Sequence, residues 1–328
     1  MAPLLKLNYM LSRNSANIFV ATLAAFLFSL FFSPYYYGGD QRGYTAAYEA
    51  VFGHNFIDGF IAYNAHVSSA EPVHYLVVWV ASNLGLKKNI VMAVANAILA
   101  NLLFRLLIKW RVSVYIAWAI VFTNFYVLVL YFAAERLKFG FIFLLLALLA
   151  SKKPKRASVF SALSILAHAQ MIIFYASHVF SVVSSRFLTT LKTLKISRKN
   201  KFEAVFTISI VICAAVFLRE HIFRKFGTYS ENAGSNSIFE IWKTVVFLIL
   251  SLMYSSSHLK TIFIFIVIIS AVVVVGPERV NMVGYCFFLF YALQRSRGVN
   301  AAIILTSMYF GVKSIAFVLD VIDTGQGF

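Results

Sequence analysis

The stretch EPVHYLVVWVASNLGL, residues 71–86, decides how the chain is threaded. It is apolar but short, whereas a helix that crosses a bilayer wants about 20 apolar residues. Pro72 suits the first turn of a helix. The spacing therefore predicts a helix that re-enters the membrane or lies at its interface, over 72–86, without crossing. Working outward, KNIVMAVANAILANLLFRLLI at 88–108 is long enough to cross, and so is the apolar run 17–34. Further candidate spans are 112–133, 137–151, 157–169, 170–185, 203–218, 237–254, 259–275, 280–294 and 299–318. The run 157–185 is too long for one upright helix and is split near His168.

Composition agrees with this threading. The chain is 61% hydrophobic and 12% charged, against about 25% charged in an ordinary soluble domain. So much apolar surface has lipid as its solvent, and the 34 Phe and 17 Tyr suit a lipid-facing surface with aromatic belts. The expectation is an all-α polytopic membrane protein of about 11 transmembrane helices plus the helix near 72–86. It reads as a single integral membrane domain over 1–328, with outer-face loops at 35–71 and 219–236 and a cytosolic basic loop at 186–202. The first apolar run exceeds a signal-peptide core and meets no small-x-small cleavage site, so it is expected to stay as an anchor.

The formal net charge is +17. With a cytosolic N-terminus and 72–86 not crossing, Lys152–Arg156 and Arg186–Lys201 both fall on the cytosolic side. So do Arg105, Lys109, Arg111, Lys260, Arg295 and Arg297, as the positive-inside rule asks. If 72–86 crossed, both basic runs would face outward. No nucleic-acid motif with interleaved aromatics is present, so the basic charge orients the protein and does not bind nucleic acid. Of twelve Asp and Glu, only Glu203 falls on the cytosolic side. Carboxylates contribute little to orientation, so their outward bias asks for a polar site at the outer face.

Six short constellations lie there. Asp40, Tyr44 and Tyr48 share one face if 40–48 is helical, beside Arg42; a Gly-rich turn with a capping Asp and belt tyrosines reads equally well. Glu71, His74 and Tyr75 fall together at helical spacing, although Glu71 also complements a helix N-terminus. Glu135, Arg136 and Lys138 place basic groups where positive-inside disfavours them, so an anionic ligand is one reason and a surface ion pair the other. His168 sits between apolar runs, where a histidine is costly unless it serves a site or closes a tight turn. Arg219, with Glu220 and His221, opens an outer loop and is the weakest signal. Glu278 and Arg279 repeat the acid–arginine pairing at another outer junction, where helix-end capping is the alternative. Cys213 and Cys286 lie in apolar runs without metal or redox spacing. No phosphate-cradling Gly loop, no H-E-x-x-H and no G-x-S-x-G is present, and no metal and no cofactor are expected.

In these places the chain resembles the EpsG-type family of polysaccharide polymerases, the Wzy-like membrane glycosyltransferases. The resemblance rests on Asp40 with Tyr44 and Tyr48, on E-P-x-x-Y-L at Glu71–Leu76, and on Arg136 opening a span. It continues with Ala167-His168 and with Glu278, Arg279 and Tyr285 late in the chain. The chain departs from the family pattern in the charged surround of Arg136 and at Ala169-Gln170, which leaves the fine substrate contacts open.

The resemblance implies a multi-spanning, GT-C-like glycosyltransferase in the bacterial inner membrane, its active site facing the periplasm or exterior. It would join oligosaccharide repeat units carried on undecaprenyl pyrophosphate into O-antigen, capsule or exopolysaccharide. Membrane lipid and a chain-length regulator are the other expected partners. In catalysis, Asp40 or Glu71 would be the base, while Arg136, Arg279 and His168 would hold the pyrophosphate with Lys138 in support. Arg42, Tyr44, Tyr48, His74, Glu135, Arg219, Glu278 and Tyr285 would bind substrate. A glycosyltransferase using a polyprenyl-phosphate sugar, a lipid-linked oligosaccharide transporter, and an interaction or scaffold protein are the rival readings.

Overall fold

The computed structural model describes residues 2–68, 71–193 and 237–327. Among these residues the chain is all-helical, with fourteen α-helices and two 3-10 turns. In chain order, α1 is Ala2–Phe32, α2 Asp40–Ala50, α3 Phe56–Val67, α4 Pro72–Asn83 and α5 Lys88–Lys109. Then come α6 Val114–Thr123, α7 Phe125–Phe132, α8 Glu135–Leu149, α9 Pro154–Ala167 and α10 Met171–Thr193. Last are α11 Ser237–Tyr254, α12 His258–Val275, α13 Pro277–Ala292 and α14 Ala301–Thr324.

Among the described residues, four helical segments are long and apolar enough to cross a membrane: Asn14–Tyr35, Lys88–Lys109, Met171–Leu188 and Ser296–Thr324. The bent pair α6–α7 makes a fifth if it is one span. Phe19, Leu27 and Phe31 on α1 and Met308, Val312 and Ile315 on α14 stand exposed, a surface that water does not favour and lipid does. The chain is thus a membrane protein by its helices. Several other helices fall short of a span: α8 has 15 residues and α9 has 14. At about 1.5 Å per residue, α8 is about 22 Å long, less than the roughly 30 Å hydrocarbon layer.

Two expectations change in detail. The run 112–133 is not one straight span. Asn124 is extended, ends α6, and accepts from the Tyr126 and Val127 amides to cap α7, which leaves at 49°. The Thr123 carbonyl released at this break accepts from Ser314 Oγ at 2.9 Å, which meets the rule that backbone groups in a membrane find internal partners. The segment 35–71, expected as a loop, likewise contains two helices, α2 and α3. The span at 203–218 and the loop at 219–236 lie outside the described residues, as does most of the loop at 186–202.

Backbone contacts divide the chain into two compact units, 1–169 with 296–328, and 170–295, where the sequence reads as one domain. In the first unit α1 packs on α5, and α5 on α8. Small residues permit the α1–α5 approach: Ala21, Ala25 and Ser29 on one side, Ala93, Ala97 and Ala100 on the other. Asn96 Nδ2 crosses that interface to Ser29 Oγ at 2.9 Å. Helices α8 and α9 form an antiparallel hairpin, locked where Ser164 Oγ donates to the Gly140 carbonyl at 2.8 Å. Helix α4 packs against both, and α2 and α3 cover it. The chain end returns to the α1–α2 turn, where the Gly325 carbonyl accepts from the amides of Tyr37 and Gly38. In the second unit α10 packs on α12, and α11 packs on α12 and α13.

Candidate functional site: a buried cluster of acids and bases

Pro72 starts α4, so Glu71 occupies its N-cap, yet the Glu71 side chain makes no capping bond. It turns instead toward α8 and the end of α9. Oε1 is hydrogen-bonded to His168 Nδ1 at 2.5 Å and accepts from the Ala169 amide at 3.4 Å. Oε2 faces Arg136 Nη1 at 3.2 Å. His168 reaches this position because α9 stops at Ala167 and residue 168 is extended. Burial alone would raise the Glu71 carboxyl. His168 and Arg136 outweigh it and hold the group at about 2, well below the usual carboxylate range.

Arg136 is forked between partners: besides Glu71, its Nε donates to Tyr44 Oη at 3.1 Å. Burial pushes the Tyr44 hydroxyl up to about 12 against the pull of Arg136, so it stays protonated and accepts. The Tyr44 ring also lies 5.8 Å from both the Arg136 guanidinium and Lys88 Nζ, within cation–π range.

Glu135, next in chain to Arg136, is buried and forms the second half of the cluster. Its Oε1 pairs with Lys88 Nζ at 3.1 Å, and its Oε2 stands 3.8 Å from His74 Nε2. His74 Nδ1 shares a 2.7 Å hydrogen bond with Tyr63 Oη. Lys88 also donates to Gln41 Oε1 at 2.7 Å and Thr45 Oγ1 at 3.1 Å, and Gln41 Nε2 donates to the Phe132 carbonyl at 2.7 Å. Lys138, fully buried one turn further along α8, donates to the Tyr131 carbonyl at 2.9 Å. Within the cluster, Glu71 Oε2, His74 Nε2 and Glu135 Oε2 are buried without a geometrically formed hydrogen bond; Glu71 Oε2 has only its ion pair with Arg136, and the other two face each other at 3.8 Å. The carboxylate oxygens can accept from a donor such as a hydroxyl group.

The structure therefore gathers Glu71, Arg136, His168, Tyr44, His74, Glu135 and Lys138 from the expected set. Asp40 and Arg42 are exposed on α2, outside the buried cluster. Tyr48, whose spacing suggested a shared face with Tyr44, is packed in the α2–α3–α4 core and donates to the Leu86 carbonyl at 2.6 Å. Arg279 and Tyr285 belong to the second unit, on α13; Tyr285 is buried there against Phe247 and Phe288. Glu278 opens the same helix, and Arg219 lies outside the described residues.

Four members were missed: Lys88, Tyr63, Gln41 and Thr45. Lys88 carried a legible signal, because Lys87 and Lys88 sit at the predicted outer end of a span, where positive-inside disfavours them. Tyr63, Gln41 and Thr45 carried none, since their partners come through tertiary packing. No family model, curated protein or solved structure matches the chain.

Proposed function

We propose that the chain is a polysaccharide polymerase. It would transfer a growing glycan from undecaprenyl pyrophosphate to the terminal sugar of a lipid-linked repeat unit, at the outer face of the inner membrane. The reading rests on one observation: a buried Glu71–Arg136–His168 cluster at the ends of α4, α8 and α9, with a second acid and two further lysines beside it. The family resemblance carried by those same residues supplies the substrate class.

In the transfer, the acceptor hydroxyl oxygen bonds to the anomeric carbon. The bond from that carbon to the pyrophosphate oxygen breaks, undecaprenyl pyrophosphate leaves with the electron pair, and the hydroxyl proton passes to a base. Two demands follow: positive charge at the departing pyrophosphate, and a carboxylate at the hydroxyl. Arg136 meets the first through its forked donors, with Lys88 and His168 in support. Glu71 would meet the second. While Arg136 and His168 hold it near 2 it is a weak base. A pyrophosphate that draws Arg136 away removes an opposing charge and raises its basicity, so base strength is tied to an occupied site.

Deleting the gene and sizing the surface polysaccharide tests the proposal. Collapse to a single repeat unit, restored by the wild-type gene and not by Arg136→Ala at equal protein level, is expected. Full-length polymer in the deletion strain would sink it.

A further inference from the structure

At the opposite end of the α8–α9 hairpin, away from the acid–base cluster, α5, α8 and α9 line an open groove of about 860 Å³. Six basic side chains line it: Arg105 and Lys109 from α5, then Lys152, Lys153, Lys155 and Arg156 from the turn into α9. None of its lining residues is acidic. Its other wall is apolar, made by Leu102, Leu146, Leu149, Val159 and Phe160. All six basic residues are exposed, so their charge is available to a ligand. Lys109 is partly committed, since its Nζ donates to the Leu148 and Leu149 carbonyls and to Ser151 Oγ. The other five face one another across the groove without an acid to offset them.

Positive-inside orientation accounts for basic residues in loops, yet it asks for no concave arrangement and no apolar wall. Here the two features adjoin. Because α5 is a span that ends at Lys109, the groove lies at the headgroup layer of the leaflet bounding that end. Basic pockets between spanning helices at that depth attract anionic headgroups. A soluble phosphate would use the cations and leave the apolar wall bare, whereas a phospholipid covers both.

We propose that this groove binds an anionic phospholipid, with its phosphate among Lys152, Lys153, Lys155 and Arg156 and its acyl chains along Leu146, Leu149, Val159 and Phe160. This site is independent of the polymerase reading and needs only that the helices span a membrane. Binding there would brace the α8–α9 turn and hence the hairpin whose far end presents Arg136 and His168.

The test uses native mass spectrometry on the full chain in detergent, titrated with cardiolipin, with phosphatidylcholine and with inorganic pyrophosphate. Wild-type protein is expected to retain cardiolipin over phosphatidylcholine. The quadruple variant K152Q/K153Q/K155Q/R156Q is expected to retain it at least about tenfold more weakly, since each neutralised surface cation weakens the attraction. A control variant, R111Q/K260Q/R295Q/R297Q, removes as much exposed positive charge elsewhere and is expected to bind like wild type. Equal loss in both variants, or no loss in the groove variant, overturns the proposal. Pyrophosphate that displaces cardiolipin at equal concentration overturns the assignment to lipid.

Discussion

Glu71 Oε2 and Arg136 Nη1 stand 3.2 Å apart, joining the start of α4 to the start of α8. The pair is largely buried, with His168 on the other carboxylate oxygen. This contact couples the 12-residue helix α4 to the hairpin that carries the basic groups. Removing either partner therefore has consequences for both stability and chemistry.

For stability, Glu71→Ala leaves Arg136 and His168 without their carboxylate. Breaking a buried pair by removing one partner costs about 3–5 kcal/mol. A lowered melting temperature in detergent is expected, with Glu71→Gln less damaging because the amide still accepts a hydrogen bond. Unchanged melting in Glu71→Ala would show that the pair does not hold α4 to α8.

The pH dependence of that stabilisation has a definite sign. The Glu71 carboxyl is held at about 2, below its ordinary 4.5, so its contribution is fully present above 4.5 and is lost as pH falls toward 2. The melting difference between wild type and Glu71→Gln should stay level from pH 8 to about pH 5 and shrink on further acidification. A Glu71 contribution that grew on acidification would contradict the ion pair.

Arg136→Lys tests geometry against charge. Lysine keeps the charge but cannot reach Glu71 and Tyr44 together, as the arginine does through Nη1 and Nε. Loss of chain elongation is expected in Arg136→Lys, and a loss on the order of 10²–10³-fold in rate in Arg136→Ala, the scale seen for preorganised charge-stabilising groups. Wild-type ladders from both variants would remove Arg136 from the chemistry.

The two tyrosines separate site from scaffold. Tyr48 donates to the Leu86 carbonyl and lies in the core, so Tyr48→Phe should lower stability by about 1 kcal/mol and leave elongation intact. Tyr44 receives the Arg136 Nε–H, so Tyr44→Phe should slow elongation with little change in melting temperature. The reverse pattern would move the site along α2 from Tyr44 toward Tyr48.

These residues also show how far the sequence can be read. The apolar runs and their lengths locate the helices closely, and the break at His168 falls where 157–185 became too long for one helix. Asn124 escaped because one polar residue in an apolar run looks tolerable until its side chain is seen capping the next helix. Within the site, charges in disfavoured places pointed to Glu135, Arg136 and His168. Helical spacing placed Tyr44 and Tyr48 on one buried face of α2, as found, but could not tell that Tyr44 meets Arg136 while Tyr48 meets the Leu86 carbonyl. The pairing of Glu135 with Lys88 and of His74 with Tyr63 depends on helices meeting in space, which no local spacing encodes.

The most direct measurement supplies purified protein in liposomes with undecaprenyl-pyrophosphate-linked repeat units, and resolves the products on a gel while assaying released undecaprenyl pyrophosphate. The expected result is a ladder of lengthening glycans with one equivalent of lipid pyrophosphate released per added unit, slowed on the order of 10²–10³-fold by Arg136→Ala. Repeat units that remain single, with transfer seen only when a polyprenyl-phosphate monosaccharide is supplied, would contradict it.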